Sequence, residues 1–477
     1  MRSCRAVGLI TCLLLGVLWR PSEAWSQLPI DSILHSEEQR QQCRIAMVVT
    51  DLSSGRRLVD YRSCERMIPA SLVKLISSAS ALRLCGQDAV FTTEIGYSGH
   101  LRGDILDGDL VIRGSGDPSI ETRYIAGEQG RFFSFVEETL LRSGIRHVTG
   151  DVVVDASALR PAATSASWLY EDLGEYYGAA LYGFNILDNR MALLLESSDT
   201  EVCILSVDPL EAEADVVNHL DIGSRSDLHI NGAPLSHLRR LSGSLPPSRT
   251  QVLCPMELPN PAKYAATAIR QKLASVGIAV DGQARAFYTS EQVASPTRSL
   301  GLYRSLPLRE IVGECNRRSI NLCAEAFVCM LDEGKPRSFK GGYKRLIDYW
   351  VSRGMDSRSI SLFDGSGLSP KNRITSIALE QLLMAMSDRS VPSGMAFYDS
   401  LPVAGRDGSV KHLSTPEGLV ARLKSGSMYG VQGYAGYAQV GQREFALIFM
   451  ANDFTDRASI RRTLQAVMDE LVRGLPE

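Results

Sequence analysis

Several kinds of chemistry are excluded by what this sequence does not contain. No two cysteines stand in a C-x-x-C spacing and the seven histidines are scattered, which removes the usual zinc patterns. There is no G-x-S-x-G elbow and no histidine with an evident partner, so a Ser-His-Asp hydrolase fits poorly. The stretch from Gly114 to Gly116 lacks the third glycine and the following helix of a dinucleotide fingerprint. Neither a metal nor an organic cofactor is called for. No apolar run reaches the roughly 20 residues that a membrane span needs. Net charge is -3, without the basic excess that suits a nucleic-acid surface. Lysine is rare: nine residues, at 74, 263, 272, 335, 340, 344, 371, 411 and 424, among 51 basic side chains. A lysine inside a motif is therefore informative.

What is present is a chain of 477 residues, 44% hydrophobic and 22% charged, long enough for two or three domains. Arg2 and Arg5 precede an apolar run from Ala6 to Trp19, followed by Ser22-Glu23-Ala24 with small residues three and one before a cut. This predicts a signal peptide over residues 1–24 and an exported protein. A lipoprotein reading at Cys12 is poor, because Thr11 precedes it and the apolar segment would be cut short. The mature chain keeps 48 basic and 53 acidic side chains and eight of the ten cysteines, at 43, 64, 85, 203, 254, 315, 323 and 329. An even number suits an oxidising compartment without fixing the pairing. Cys43 and Cys64 are symmetric about the turn Leu52-Ser53-Ser54-Gly55, so they are expected to face each other across a hairpin. Cys323 and Cys329 read as small core hydrophobes on one helix.

Residues 44–49 and 57–61 have the pattern of a β-hairpin, and a helix follows from Ser71 with Leu72, Leu75, Ile76, Ala79 and Leu82 at helical spacing. From about 93 to 255 the chain has short strand-like runs, such as 109–112 and 148–154, and many glycines and prolines. Helical periodicity returns at 262–273, after Asn260-Pro261, and again at 308–315, 320–331, 344–352 and 376–386. Strands are expected at 419–424, 433–440 and 445–451, before a closing helix with Ile460, Leu464, Val467 and Leu471. A hairpin and helix at one end, with strands and a helix at the other, predict one α/β domain assembled from both termini.

Three short motifs carry the chemistry. In Ser71-Leu72-Val73-Lys74 a spacing of three at a helix start puts the hydroxyl and the amine on one face, a nucleophile beside a base. A confined amine near a second cation has a lowered pKa, which lets it take the proton. Taken alone, an N-cap serine and a solvated lysine explain this motif equally well. Ser319-Ile320-Asn321 stands at another helix entry, where a cap is again the bland reading. In Lys424-Ser425-Gly426-Ser427 a strand offers a cation, hydroxyls and a glycine that lets a substrate lie against its edge. Each of the three patterns occurs once, and in this order three accidents are hard to sustain.

On these motifs the sequence resembles the penicillin-binding protein and serine β-lactamase superfamily. The gap of about 248 residues between Ser71 and Ser319 resembles, more closely, the D-alanyl-D-alanine carboxypeptidase/endopeptidase family of low-molecular-mass class C penicillin-binding proteins, peptidase family S13, which carries two extra domains there. Ile68-Pro69-Ala70, Gly114 through Pro118, Trp168 with 172–179, Asp364 through Ser369 and 401–405 are similar to that family too. The resemblance implies an α/β fold: a penicillin-binding transpeptidase-like domain, an antiparallel sheet flanked by helices, with two inserted β-rich domains. The expected division is 25–92 with 256–477 for the catalytic domain, 93–160 with 241–255 for one insertion, and 161–240 for the other.

The resemblance also implies a serine D,D-peptidase acting on peptidoglycan stem peptides in the periplasm, acylated and stalled by β-lactams. Ser71 would be the nucleophile, Lys74 the general base, and Ser319 the proton relay to the departing amine. Asn321 would hold Lys74 and the substrate amide, while Lys424 and Ser425 take the terminal carboxylate. Gly426 lets the substrate approach, and the oxyanion would sit between the N–H groups of Ser71 and Ser427. Asp155 matches a position that meets the free amine of the diamino acid, although an Asp ending a strand also reads as a turn residue. Ile320 stands where the family usually has Asn or Asp, which is tolerable if that side chain faces the helix packing. Lys-Ser-Gly in place of Lys-Thr-Gly keeps the hydroxyl. A β-lactamase and a catalytically silent peptidoglycan-binding protein are the competing readings. Oligomeric state and a loose hold on the membrane are left open.

Overall fold

Strand-forming runs from the two ends of the chain meet in one sheet. The computed structural model describes residues 29–160, 164–247, 251–289 and 298–474, and the expected signal peptide lies outside them. Five antiparallel strands stand in the order Arg57–Tyr61, Arg44–Asp51, Arg443–Asn452, Val431–Val440, Leu419–Met428. The three inner strands are buried almost throughout, which accounts for their near-continuous apolar sequences. Alternation still sorts their two faces. Ala46, Val48, Ala446, Ile448 and Met450 join the core formed with the helices Val73–Leu84, Leu308–Arg318, Asn321–Met330 and Ser376–Met386. Ile45, Met47, Val49, Leu447 and Phe449 join a second core under Ile30–Gln41 and Arg457–Gly474.

Val73–Leu84 is a helix with water on almost no side, since residues 73–82 are all buried. Two of its three serines are accommodated by local bonding, the hydroxyls of Ser78 and Ser80 donating to the carbonyls of Lys74 and Ile76, each at 2.6 Å, and the third, Ser77, donates to the Gly365 carbonyl at 2.6 Å. Among the described residues no helix is long and apolar enough to cross a membrane.

The intervening chain builds a separate core around a five-stranded sheet in the order 284–287, 152–155, 110–113, 92–97, 298–304. The helices Arg131–Arg142 and Pro261–Ser275 pack on that core through Phe132, Val136, Ala265 and Ile269. Two three-stranded sheets follow, 202–208/190–197/251–257 and 215–222/238–245/227–232. These pairings depart from the expected boundaries. Residues 261–289 and 298–304 pack with the inserted chain rather than with the first sheet, and 251–257 pairs with 190–197. Asn260-Pro261 announces a helix start correctly, with Asn260 accepting the Lys263 N–H, but an amphipathic helix does not announce which sheet it covers.

The hairpin corrects one expectation. Cys43 and Cys64 are both free thiols, the first buried and the second exposed. The register slips between Val49 and Thr50, so that Thr50 faces Arg57 but Met47 faces Tyr61. That β-bulge moves the pairing by one residue and takes the two cysteines out of opposition.

Candidate active site

Ser71 lies in a tight turn, Ala70–Leu72, that leads into the buried helix. Ala70 has φ 45°, a left-handed conformation that costs an alanine energy and is held by what crosses it. Two glycines make that crossing. A Cβ on Gly367 would stand 1.9 Å from the Ala70 carbonyl oxygen, and one on Gly426 2.5 Å from that of Pro69. The turn is clamped from both sides by backbone, and only glycine fits there.

One turn into the helix, Lys74 is fully buried, and its Nζ donates to Ser71 Oγ at 2.9 Å, Asn321 Oδ1 at 2.6 Å and the Ser366 carbonyl at 2.6 Å. Burial pushes this amine down to about 8, against the opposing pull of nearby acidic groups, Asp364 and Glu325 among them. Lys424 is equally buried, and burial followed by the charge of Lys74 holds it well below the usual lysine range. Its Nζ donates to Ser319 Oγ at 2.9 Å and to the Ser425 carbonyl at 2.6 Å. Ser319 caps the helix Leu308–Arg318 in a left-handed conformation, φ 63°, and the next helix begins two residues later. Asn321 opens that helix and donates its Nδ2 to the Tyr177 carbonyl at 2.7 Å, so the inserted chain forms one wall of the site.

Ser71, Ser319, Asn321 and Ser427 line a cleft of about 780 Å³ together with Tyr124, Glu171, Asp172 and Tyr177. Ile320 lines it too while packing on the main core, so its side chain meets both the helix packing and the cleft. Ser427 and Gly426 lie on the edge strand of the sheet, whose earlier part is covered by residues 402–404. Ser425 turns its hydroxyl to that of Ser409 at 2.7 Å.

Asp155 is not brought to this cleft. It ends strand Val152–Asp155, buried, with its carboxylate held by Arg113 Nε at 3.0 Å and by the Ser157 N–H at 2.9 Å. A carboxylate so engaged has a structural task at the strand end. The acids that do face the cleft are Glu171, Asp172 and Asp188, and burial raises the carboxyls of Asp172 and Asp188 above their ordinary range. The stretch 168–179 carried the signal through its likeness to the family, although no motif rule singles out its acids.

Sequence reasoning also missed what holds the Lys74 acceptor. Glu325 accepts the N–H groups of Gly365 at 3.0 Å and Ser366 at 2.8 Å. Asp364 accepts the Gly367 N–H, Asn372 Nδ2 and Trp168 Nε1. The resulting loop presents the Ser366 carbonyl to Lys74 and that of Gly365 to Ser77 Oγ.

A serine whose proton is within reach of a buried lysine, a second lysine bonded to a second serine, and a sheet edge beside them define a penicillin-binding type of serine acyl-transfer enzyme. The chain belongs to the D-Ala-D-Ala carboxypeptidase 3 (S13) family, whose model matches residues 27–474. It is accordingly a serine D,D-peptidase, a hydrolase of the D-Ala-D-Ala carboxypeptidase kind. It is 26% identical over 465 residues to a D-alanyl-D-alanine carboxypeptidase of Actinomadura sp. (strain R39), with 90% of this chain and 81% of that one aligned. It is 22% identical over 452 residues to the carboxypeptidase DacB of Haemophilus influenzae, covering 90% of each. The crystal structure of penicillin binding protein 4 (dacB) from Haemophilus influenzae superposes with a TM-score of 0.80 at 21% identity, over 92% of this chain and 99% of that one. That protein has also been solved complexed with a novel β-lactam.

Proposed function

We propose that the protein cleaves the D-Ala-D-Ala end, or a D,D-crosslink, of peptidoglycan stem peptides through an acyl-enzyme on Ser71. The observation that carries this reading is the 2.9 Å contact between Lys74 Nζ and Ser71 Oγ at an amine that burial brings down to about 8. In its neutral form Lys74 takes the Ser71 proton as Oγ attacks the carbonyl carbon of the scissile bond. The oxyanion is met by the N–H groups of Ser71 and Ser427, a contribution on the order of 3 kcal/mol for each good donor. The C–N bond breaks, and the departing amine receives a proton through the Ser319 hydroxyl, which Lys424 orients. Water then attacks the ester, returns its proton by way of Lys74 and frees Ser71. A substrate laid along the edge at Gly426 directs its terminal carboxylate toward Lys424 and Ser425, while Asn321 holds Lys74 and the substrate amide.

The acid wall of Glu171 and Asp172 supports an amine-bearing stem peptide, in the role that Asp155 does not fill. A β-lactam presents the same carbonyl and carboxylate, so it acylates Ser71 but leaves slowly. A signal peptide over 1–24 would deliver the enzyme to the periplasm, where this substrate is found. The division we infer follows strand pairing, with 29–91 and 305–474 forming the catalytic part.

The test is incubation with a fluorescent penicillin beside a Ser71→Ala variant, with the labelled peptide mapped by mass spectrometry. Stable label on Ser71, lost in the variant, is the expected result. Rapid turnover of the drug would make the protein a β-lactamase, and no reaction from folded protein a silent binding protein.

A further inference from the structure

A second and larger hollow, about 1010 Å³, opens further along the helix that carries Asn321. Asn321, Glu325 and Cys329 recur every four residues, so one stripe of that helix meets the cleft at its start and the hollow one and two turns on, roughly 6 and 12 Å along the axis. The floor is apolar and aromatic. Phe339 and Tyr343 stack with ring centroids 5.8 Å apart and planes 5° apart, beside Leu159 and Ile347. The rim is basic: Arg160, Arg337, Lys340 and Lys344 stand around it, two of them from the nine lysines of the whole chain. Lys344 is neutralised by Asp348, and Glu325 is occupied by backbone N–H groups. Arg160, Arg337 and Lys340 make no salt bridge among the described residues, and although the Asp332 carboxylate acts on Arg160, the lining carries four basic side chains against two acidic ones, Glu325 and Asp348.

We propose that this hollow is a second binding site for the wall polymer, taking a carboxylate-bearing stretch of glycan and peptide while a stem peptide from the same network occupies the Ser71 cleft. The inference rests on the functional reading above. Sugar rings lie flat on aromatic faces, and the carboxylates of neighbouring peptides find the guanidinium and ammonium groups of the rim. A concave site with its aromatic pair on the floor suits a flexible chain that can enter it, whereas a flat anionic bilayer would meet only the rim.

The experiment uses the full mature chain in a Ser71→Ala background, so that polymer is bound and not consumed. Co-sedimentation with purified sacculi is measured for that protein and for Arg337→Glu/Lys340→Glu and Arg160→Glu/Lys340→Glu, with vesicles containing anionic phospholipid in parallel. Charge reversal is expected to weaken sacculus binding about tenfold, with the parent's binding falling as salt is raised. With Ser71 restored, both double variants are expected to hydrolyse a small soluble D-Ala-D-Ala peptide within about twofold of the parent. Undiminished sacculus binding would overturn the proposal. So would a parallel loss of small-peptide hydrolysis, which would mean the substitutions disturb the cleft, or a loss confined to vesicles, which would make the patch a membrane contact. Failure of the functional reading appears elsewhere, as absence of penicillin label on Ser71.

Discussion

Glu325 and Lys74 are joined through a single residue: Glu325 accepts the Ser366 N–H at 2.8 Å, and the Ser366 carbonyl accepts the Lys74 ammonium at 2.6 Å. The carboxylate thus fixes one of the three partners of the base. Its negative charge also favours the protonated lysine, since it raises the Lys74 pKa against the larger effect of burial. Glu325 itself is pushed up to about 7 by burial and then by Asp364.

A Glu325→Gln variant is therefore expected to lower the acylation rate at its plateau about tenfold, because the carbonyl is held less firmly. Its acid limb should also move to lower pH, because the protonated lysine loses a favourable charge. Stopped-flow acylation by a chromogenic β-lactam across pH 5 to 10, about the range over which these groups titrate, reads both effects. An unchanged midpoint would mean that Glu325 acts on the loop alone.

The parent enzyme has a pH dependence of its own. Neutral Lys74 is the active base and burial lowers its pKa to about 8, so acylation should rise about tenfold per pH unit below that value and level off above it. Lys74→Arg retains the charge but cannot give up a proton near neutrality, and should slow acylation by about 10² to 10⁴-fold. A Lys74→Arg enzyme with the parent's rate would remove lysine from the role of base.

Gly426→Ala puts a methyl group 2.5 Å from the Pro69 carbonyl and 3.1 Å from the Ser71 N–H nitrogen. The strand edge or the serine turn must shift by several tenths of an ångström, and acylation is expected to fall about 10²-fold while the fold survives. Circular dichroism and penicillin-labelling rates separate these outcomes, and full activity in the variant would show the turn to be more yielding than its geometry implies.

Away from the cleft, Arg239 and Glu257 form an ion pair at 3.0 Å with neither side chain more than 1% exposed. Arg239→Ala strands the carboxylate, which burial already pushes up in pKa, and should cost about 3 to 5 kcal/mol locally. Hydrogen exchange in 190–197 and 251–257 should rise accordingly, with restoration in the Arg239→Met/Glu257→Gln pair. Equal protection in the single variant would count against a buried pair.

The hairpin, the helix behind Ser71, the last three strands and the closing helix were legible because their apolar spacing is a local property. The three motifs were legible because each brings its own short-range geometry. Partnership across long separations was not. A bulge at Val49 and Thr50 displaced Cys43 from Cys64, and 261–289 with 298–304 joined the inserted core although the helix periodicity would serve either sheet equally. Glu325 read as one more polar residue on a helix, since the N–H groups it accepts lie 40 and 41 residues away in sequence. Asp155 and Asp172 were indistinguishable as types, and only the paths of their backbones separate a strand-end anchor from a cleft acid.

Strand Arg44–Asp51 has Arg443–Asn452 as its inner neighbour, and the serine turn is closed by Gly367 and Gly426. The reactive hydroxyl and its base Lys74 thus come from the first fifth of the chain, and the other partners of Lys74, with the second lysine, from the last third. Contacts this distant carry a large loop-closure entropy. A chain that lacks the C-terminal strands therefore lacks Lys424 and the Gly426 clamp on the serine turn. The serine turn and the strands that clamp it are joined only where the two ends of the chain meet in one sheet.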